Sequence, residues 1–595
     1  MREAWLMIAS VELNESVEFK SLPSGLHNVE EDLIYFTHGD AYAGISAFIN
    51  EPAEESDRNA LMLAVGVLLP LSYGRLGKSW KHAAGLKELA KGLSKDPAKT
   101  EPLEEFWNTY RLHEDDEHQE QAVEPDSPST ERTKRRHSQP SPNRHFHRRK
   151  RAATAASAVA QSLSPYHPAL SLPAFLDTFG PLVFPLYKAA LLRKRILLVG
   201  HAPVEQACNF VYDISILSGL PSSVSDLLPL EPLPTRLQPL FAVGIHDMPI
   251  LTMGSRDQAP DSQLSDDGMG YGWVANTTDD ILSLKDHLYD TLITIPPPYT
   301  QQAKEKVWPK LELKRGIEIK ATQRDLRRYR VLRRELGRFP TTSLRSPATS
   351  RAPPATSDSH AHVENTREPS YNDEDASSAL DAQLAEPQSW SALAYNSFMW
   401  WASAGEKRTD LDEEEEYDAA LLRHFDAHQD DGDEEGWSPN HNNRRPRSAP
   451  KSPGKRRNSA VMDETQPTAP LEMTIIAYFH RLTTLILKTL ADIVDAADYE
   501  EDVNGPRPTS ANGHTSPTPP SPNNDTQSNK NPDDPHHISD DSSVIAITSE
   551  DMSRMGLDIW SESDRTFVRE LVAFYWGRKA EVKGGRVECC GVRIC

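Results

Sequence analysis

Residues 195–199, Arg-Ile-Leu-Leu-Val, are apolar on both alternating faces after the arginine, which suits a strand covered above and below and therefore a parallel sheet. Pro203 fits the first turn of a helix. Val204, Ala207, Cys208, Val211, Ile214 and Leu217 then recur at helical spacing, and Gly219 with Pro221 ends the helix. Residues 240–245 form a second apolar run. Strand, helix, strand in this order is a βαβ unit and predicts an α/β fold with a parallel sheet. A further strand is expected at 272–275, a helix from Asp279, and another strand at 289–295 before Pro296-Pro297-Pro298.

The rest of the chain alternates folded and polar stretches. Residues 13–112 read as a first folded lobe, with strands at 32–36, 41–49 and 61–69 and a helix at 79–93. Residues 161–340 hold the βαβ lobe. Segments 113–160, 341–385, 404–468 and 500–543 are rich in Pro, Ser and charge, and are expected to be disordered inserts without a core. Between them, 386–403 reads as an aromatic helix and 469–499 as an amphipathic one, and 544–595 forms a last domain. There Thr548 with Asp551, and Ser561 with Asp564, fit capping boxes that use Asp for the usual Glu. Phe567, Val568, Leu571, Val572, Tyr575 and Trp576 give the second helix an apolar face.

Composition narrows the function classes. The hydrophobic fraction of 37% and the 46 prolines agree with folded cores diluted by inserts. A net charge of −23 argues against nucleic acid as partner. Three of the four cysteines fall in the last seven residues, so no disulfide framework is expected and a reducing, cytoplasmic setting fits. No hydrophobic leader is read at the start, and no cofactor or metal-ligand spacing stands out.

Two motifs resemble catalytic loops and lack their key residue. Gly74-Arg75-Leu76-Gly77-Lys78-Ser79 ends like a phosphate-binding loop, but Ser72 stands where the first glycine is needed. Residues 197–204 resemble the strand before a hydrolase nucleophile, but Ala202 occupies the nucleophile position and has no hydroxyl. Both read as strand-to-helix turns.

Surface features suggest binding instead. Over 322–338, Leu326, Tyr329, Leu332 and Leu336 form an apolar stripe, and seven arginines crowd the remaining surface. Such a helix is either a solvated face paired with nearby acids or a dock for an acidic protein or anionic lipid. Cys589 and Cys590 follow Lys583 and Arg586 and are candidates for lipidation.

Taken together, residues 16–27, 69–77, 195–199 with the following helix, 240–247 and 272–279 resemble the LCHN-like branch of DENN-domain proteins in its fungal form, related to the AVL-nine secretory proteins. Residues 556–591 resemble that family's fungal C-terminal domain of unknown function. The resemblance implies a longin-like N-terminal lobe, a central parallel α/β lobe and a helical C-terminal part. It implies a regulator of Rab-type small GTPases, working by nucleotide exchange or as a non-catalytic adaptor, with peripheral contact to intracellular membranes. An exchange factor needs no catalytic side chain, since it works by binding one state of its partner better than another. The contact residues are then expected at Tyr73, Arg75 and Lys78, at His246 and Asp247, and at Arg327, Arg328 and Arg334.

Overall fold

The computed structural model describes residues 17–111, 163–338, 382–423, 470–504 and 544–593, with breaks at 40, 53–59, 97, 230–233, 253–271, 304, 403–408, 585–587 and 590–591. Strands β1 (Glu31–His38), β2 (Tyr42–Pro52) and β3 (Ala60–Pro70) form an antiparallel meander. Strands β4 (Ile196–Val199), β5 (Gln238–Ala242), β6 (Trp273–Thr277) and β7 (Thr291–Thr294) run parallel, as the apolar runs predict. Strands β8 (Lys310–Leu313) and β9 (Ile317–Glu318) extend the sheet antiparallel. All nine belong to one sheet, in the order β3-β2-β1-β5-β6-β4-β7-β8-β9.

The two half-sheets meet through one residue pair, Phe36 opposite Phe241. The register between β5 and β6 shifts between Pro239 and Phe241, and Phe241 takes a left-handed φ of 61°. Such a bulge bends a strand locally, and here the strand has an antiparallel neighbour on one side and a parallel one on the other.

Strand periodicity divides the interior into two cores. Ile196 and Leu198 face a large core, whereas Leu197 and Val199 face a smaller one on the other side of the sheet. The large core takes in helices α2 (Ala83–Lys95), α4 (Leu172–Phe179), α5 (Val183–Leu191) and α6 (Glu205–Leu217). Helix α1 (Val17–Ser21) packs on β1 and β2, and α3 (Glu101–Tyr110) follows α2. The smaller core lies under α7 (Met248–Thr252) and α8 (Asp280–Ser283). The stretch Pro168–Leu191 is apolar and long enough to cross a bilayer, but Gly180 breaks it at φ 57° and most of it is buried in the large core.

Two elements of the sheet-bearing part differ from the sequence reading. Strand β5 stops at Ala242, because the Asp247 carboxylate accepts the Gly244 N–H at 3.0 Å and winds 245–247 into a 3-10 turn. The helix expected from Ser79 begins at Ala83, because Leu76, Gly77 and Lys78 all hold left-handed φ angles before it.

The C-terminal pieces close the large core. They are α9 (Gln323–Leu336), α10 (Trp390–Ala402), α11 (Thr409–Arg423), α12 (Leu471–Asn504), α13 (Ser549–Arg554) and α14 (Glu562–Trp576). A small parallel pair, β10 (Ile545–Ile547) with β11 (Ala580–Val582), and the hairpin β12 (Glu588–Cys589) with β13 (Val592–Arg593) complete the described chain. Ile475, Phe479, Leu482, Ile486 and Leu490 bury one face of α12, which runs against α4 and α6. Tyr187 and Thr483 share a hydroxyl bond of 2.6 Å, and the Tyr575 hydroxyl donates to the Leu191 carbonyl at 2.9 Å. Most of the four segments expected to lack a core lies outside the described residues. Residues 409–423, inside one of them, form α11.

Ion pairs without solvent access fix these pieces. The Lys188 ammonium on α5 lies 2.8 Å from Asp325 on α9 and 2.5 Å from Asp564 on α14. Burial opposes its charge, but the two carboxylates outweigh this and raise its pKa. Burial likewise pushes the Asp564 carboxyl up to about 6, against the lowering influence of Lys188. The predicted cap pair Ser561 and Asp564 is present, but Asp564 turns inward: its other oxygen accepts the Asp558 N–H at 2.7 Å. At the start of β4, a partly exposed pair forms: Arg195 binds Asp290 through its backbone N–H at 2.9 Å and its guanidinium at 2.9 and 3.2 Å. Burial alone would raise Asp290; these bonds hold it at about 2 instead.

Lys188→Met leaves two carboxylates facing each other in the interior and is expected to cost about 3–5 kcal/mol at neutral pH. A carboxyl whose folded pKa is raised favours the folded state at low pH, and that contribution fades as pH rises through about 6. The deficit measured by urea unfolding is therefore expected to be smaller at acidic pH than at neutral pH. A deficit that does not change with pH contradicts this. Asp290 has the opposite sign. Its stabilising contribution is present above about 4 and disappears as pH falls through about 2. Asp290→Asn should therefore lose about 2 kcal/mol at neutral pH, with the gap closing in acid.

Candidate functional site at the seam of the two half-sheets

One short segment ties the N-terminal meander to the loops that follow the parallel strands. The Lys20 ammonium of α1 reaches the Thr37 carbonyl of β1 at 2.8 Å and the Asp247 carboxylate at 2.8 Å, and both side chains of this ion pair are nearly buried. Its neighbour Phe19 stacks on the His246 ring, centroids 4.2 Å apart and planes 19° apart. Beyond α1, the Ser24 hydroxyl lies 3.1 Å from that of Thr278 and also bonds the Asp279 carboxylate. Gly25 turns the chain with φ 84°. Three loops thus converge: 19–25 from the first lobe, and 244–250 and 278–284 after the parallel strands β5 and β6.

The convergence leaves apolar side chains in solvent. Phe19 is 53% exposed and Leu284 is 83% exposed. Leu22, Ile245, Ile250 and Ile281 on the same loops are exposed as well. A group of exposed apolar side chains on converging loops makes this a candidate docking surface. Beneath it, Asp32 of β1 accepts the Val204 and Glu205 N–H groups at 2.7 and 3.1 Å and so caps α6 from the other half-sheet. Burial raises the Asp32 carboxyl, and the three N–H bonds it accepts act against that rise.

The structure brings only some of the sequence candidates together. His246 and Asp247 lie in the seam. Tyr73, Arg75 and Lys78 follow β3, whose last residue pairs across β2 with the end of β1. Because β1 and β5 are antiparallel, this turn sits where β5 begins, and burial, helped by the nearby Arg75, lowers the pKa of Arg236. The turn is packed rather than open: Leu76, Ser79 and Trp80 are buried, and a side chain on Gly77 would meet Leu69 at 2.7 Å.

The arginine helix α9 lies elsewhere and is already occupied. Arg324 binds the Asp418 carboxylate of α11 at 2.6 and 2.9 Å, and Arg328 binds it at 3.1 Å. Arg328 is 1% exposed and cannot meet an outside partner as a surface residue would. Arg327 pairs with Glu414 at 3.1 Å, and Arg334 pairs with Glu415. The acidic run expected to be an insert is thus the counter-surface of the basic helix. Of the terminal cysteine pair, Cys589 lies in β12 and Cys590 falls outside the described residues. Ile281 and Leu284 carry no motif, and Phe19 and Leu22 fall in the block 16–27 without marking a contact of their own, since a single exposed apolar residue is unremarkable in a sequence.

A family model described as DENN domain-containing protein 11 matches residues 4–305, and a second, described as a Domain of unknown function (DUF4484), matches residues 385–595. DENN domain-containing protein 11 of Danio rerio is 32% identical over 292 residues, covering 49% of this chain and 49% of that protein. The Xenopus laevis protein of that name is 31% identical over 280 residues, covering 47% and 53%. An uncharacterized protein of Schizosaccharomyces pombe is 28% identical over 325 residues, covering 54% and 66%. The chain spans about half the length of the animal relatives it matches.

The Lys20–Asp247 pair should hold the seam loop in place without supporting the sheet. Asp247→Ala is expected to speed amide hydrogen exchange in residues 17–28 about tenfold or more, while β4 to β7 keep their protection. Equal acceleration across the parallel strands contradicts a local role.

Proposed function

Because the chain belongs to the DENN domain-containing protein 11 family, we propose that it is a guanine-nucleotide exchange factor or regulator of a Rab-type small GTPase in membrane traffic. Within the family we place it in the LCHN-like branch in its fungal form, which its likeness to a fission-yeast protein supports. The protein acts from the cytoplasm. The observation that carries this reading is the exposed apolar group on three loops where the two half-sheets meet, with Phe19 and Leu284 its most prominent members.

Exchange requires only that the nucleotide-free GTPase be held more tightly than the nucleotide-bound one. A surface composed from two lobes suits this, because a partner bridging both can be held in one shape and not in another. The apolar residues supply the contact area, and the buried Lys20–Asp247 pair keeps them in register. The turn carrying Tyr73, Arg75 and Lys78, at the far end of the sheet, serves the first lobe's packing in this reading.

The test is GDP release from a panel of Rab GTPases loaded with a fluorescent GDP. Wild-type chain is expected to accelerate release from at least one. An Ile281→Asp, Leu284→Asp double variant is expected to lose about tenfold or more in kcat/KM with unchanged unfolding, since both residues are exposed. Binding of a GTPase with no acceleration assigns the chain to the non-catalytic adaptors instead. Full activity in the double variant removes the seam as the docking site.

A further inference from the structure

Helix α10 is apolar on both sides. Its sequence, Trp390 to Ala402, contains no charged residue. One face packs on the protein: Ala392 is buried, and Tyr395 meets the Trp560 ring at 5.6 Å. The opposite face carries Trp390, Leu393, Ala394, Ser397 and Trp401, all exposed. Their spacing of three or four residues places them in one stripe along the helix. Trp390 is 87% exposed and Trp401 is 72% exposed, one at each end of the stripe with Leu393, Ala394 and Ser397 between them. The Ser389 hydroxyl accepts the Ala392 N–H at 3.2 Å and fixes the start of the helix.

The surroundings are apolar and cationic. The Ala321 N–H bonds the Leu384 carbonyl and the Glu386 N–H bonds the Ala321 carbonyl, so the exit of the β8–β9 hairpin lies beside the lead-in to α10. Trp308 and Leu384 both border Gly180. On the hairpin and the segment before it, Tyr299, Val307, Leu313 and Ile317 are exposed. Residues 305–320 hold five Lys and Arg (Lys306, Lys310, Lys314, Arg315, Lys320) against three Glu (Glu305, Glu312, Glu318), in a chain whose net charge is −23, with Lys310 paired to Glu312 and Lys314 to Asp290 at the surface.

We propose that α10 and the β8–β9 hairpin form a membrane-docking surface that lays the tryptophan face of α10 into the headgroup region of an anionic bilayer. Three observations select a bilayer over a protein partner. The stripe is a convex ridge, and a bilayer receives a ridge without needing a matching groove. Tryptophan at the ends of an uncharged helix matches the preference of indole for the boundary between headgroup and acyl chain. The excess of lysine beside it complements anionic headgroups at a site where the rest of the chain would be repelled. The inference does not depend on the exchange reading, since it concerns different residues.

Full-length chain is to be sedimented with vesicles of phosphatidylcholine containing about a quarter phosphatidylserine, and separately with pure phosphatidylcholine. Wild-type chain is expected to bind the anionic vesicles, and to bind the neutral ones more weakly. Trp390→Glu with Trp401→Glu is expected to lower partitioning about tenfold or more, with an unchanged circular dichroism spectrum and thermal transition, because both side chains project into solvent. Trp390→Phe with Trp401→Phe should retain most of the binding. The proposal fails if wild-type chain stays in the supernatant with both vesicles, or if the glutamate variant binds as wild type does. It fails equally if wild-type chain self-associates without lipid and the glutamate variant does not, because the ridge is then an interface between copies.

Discussion

A single ammonium group organises the tertiary structure. Lys188 lies on the helix that precedes the first parallel strand, and its two carboxylates come from residues 137 and 376 positions further along the chain. An ion of this kind cannot remain buried without its partners, because desolvation of an unpaired charge costs several kcal/mol. The α/β part and the C-terminal helices are therefore interdependent. Asp418 repeats the arrangement with inverted sign, one carboxylate between Arg324 and Arg328 of the helix that also supplies Asp325. Helix α9 is thus held on one side by Lys188 and on the other by Asp418. Apolar burial supplies most of the driving force for packing but does not select one arrangement of helices. These ion pairs specify which helix meets which, across segments that share no local sequence.

The parts of the fold with local signals were legible in the sequence. Residues 195–199 had to be a doubly covered strand, and Thr548 with Asp551 forms the cap that its spacing predicts. The end of β5 was misread because Val243 and Ile245 continue the apolar run, while the carboxylate that stops the strand lies at Asp247. Helix α11 was missed for a related reason. Glu413 to Glu416 repel one another in isolation, and only the arginines of α9 make a helix there favourable. Its compensating charges lie about ninety residues away in sequence, beyond the reach of composition arguments. The seam residues were half visible. His246 and Asp247 stood out as a titratable pair, whereas Phe19 and Leu284 gain meaning only from their convergence.

The basic helix shows how net charge can mislead. In a chain of charge −23, seven arginines over 322–338 invite an external acidic partner. The structure supplies an internal one. Arg324 and Arg328 are buried with Asp418, which burial would push up but which the two guanidiniums hold below the ordinary carboxylate range. Arg327 and Arg334, further out, pair with glutamates in partial contact with water, where each pair contributes little and is screened by salt. The inner pairs carry the structure, and the outer ones tune its electrostatics.

The sheet separates these tasks by face and by end. The large core and its ion pairs occupy one face, so rearranging that face would expose charges that only the folded chain can pair. The opposite face carries a small core of ten buried residues and the apolar loops at the seam. A thin core and a one-residue junction, Phe36 with Phe241, leave the meander and the parallel strands freer of each other on this face than a full strand ladder would. Asp32 and Lys20 limit that freedom, each reaching from one half to the other near this junction. A surface built across a junction of this kind changes shape when the two halves move, whereas one built on the large-core face would not. The exposed apolar residues therefore lie on loops contributed by both halves, beside that junction.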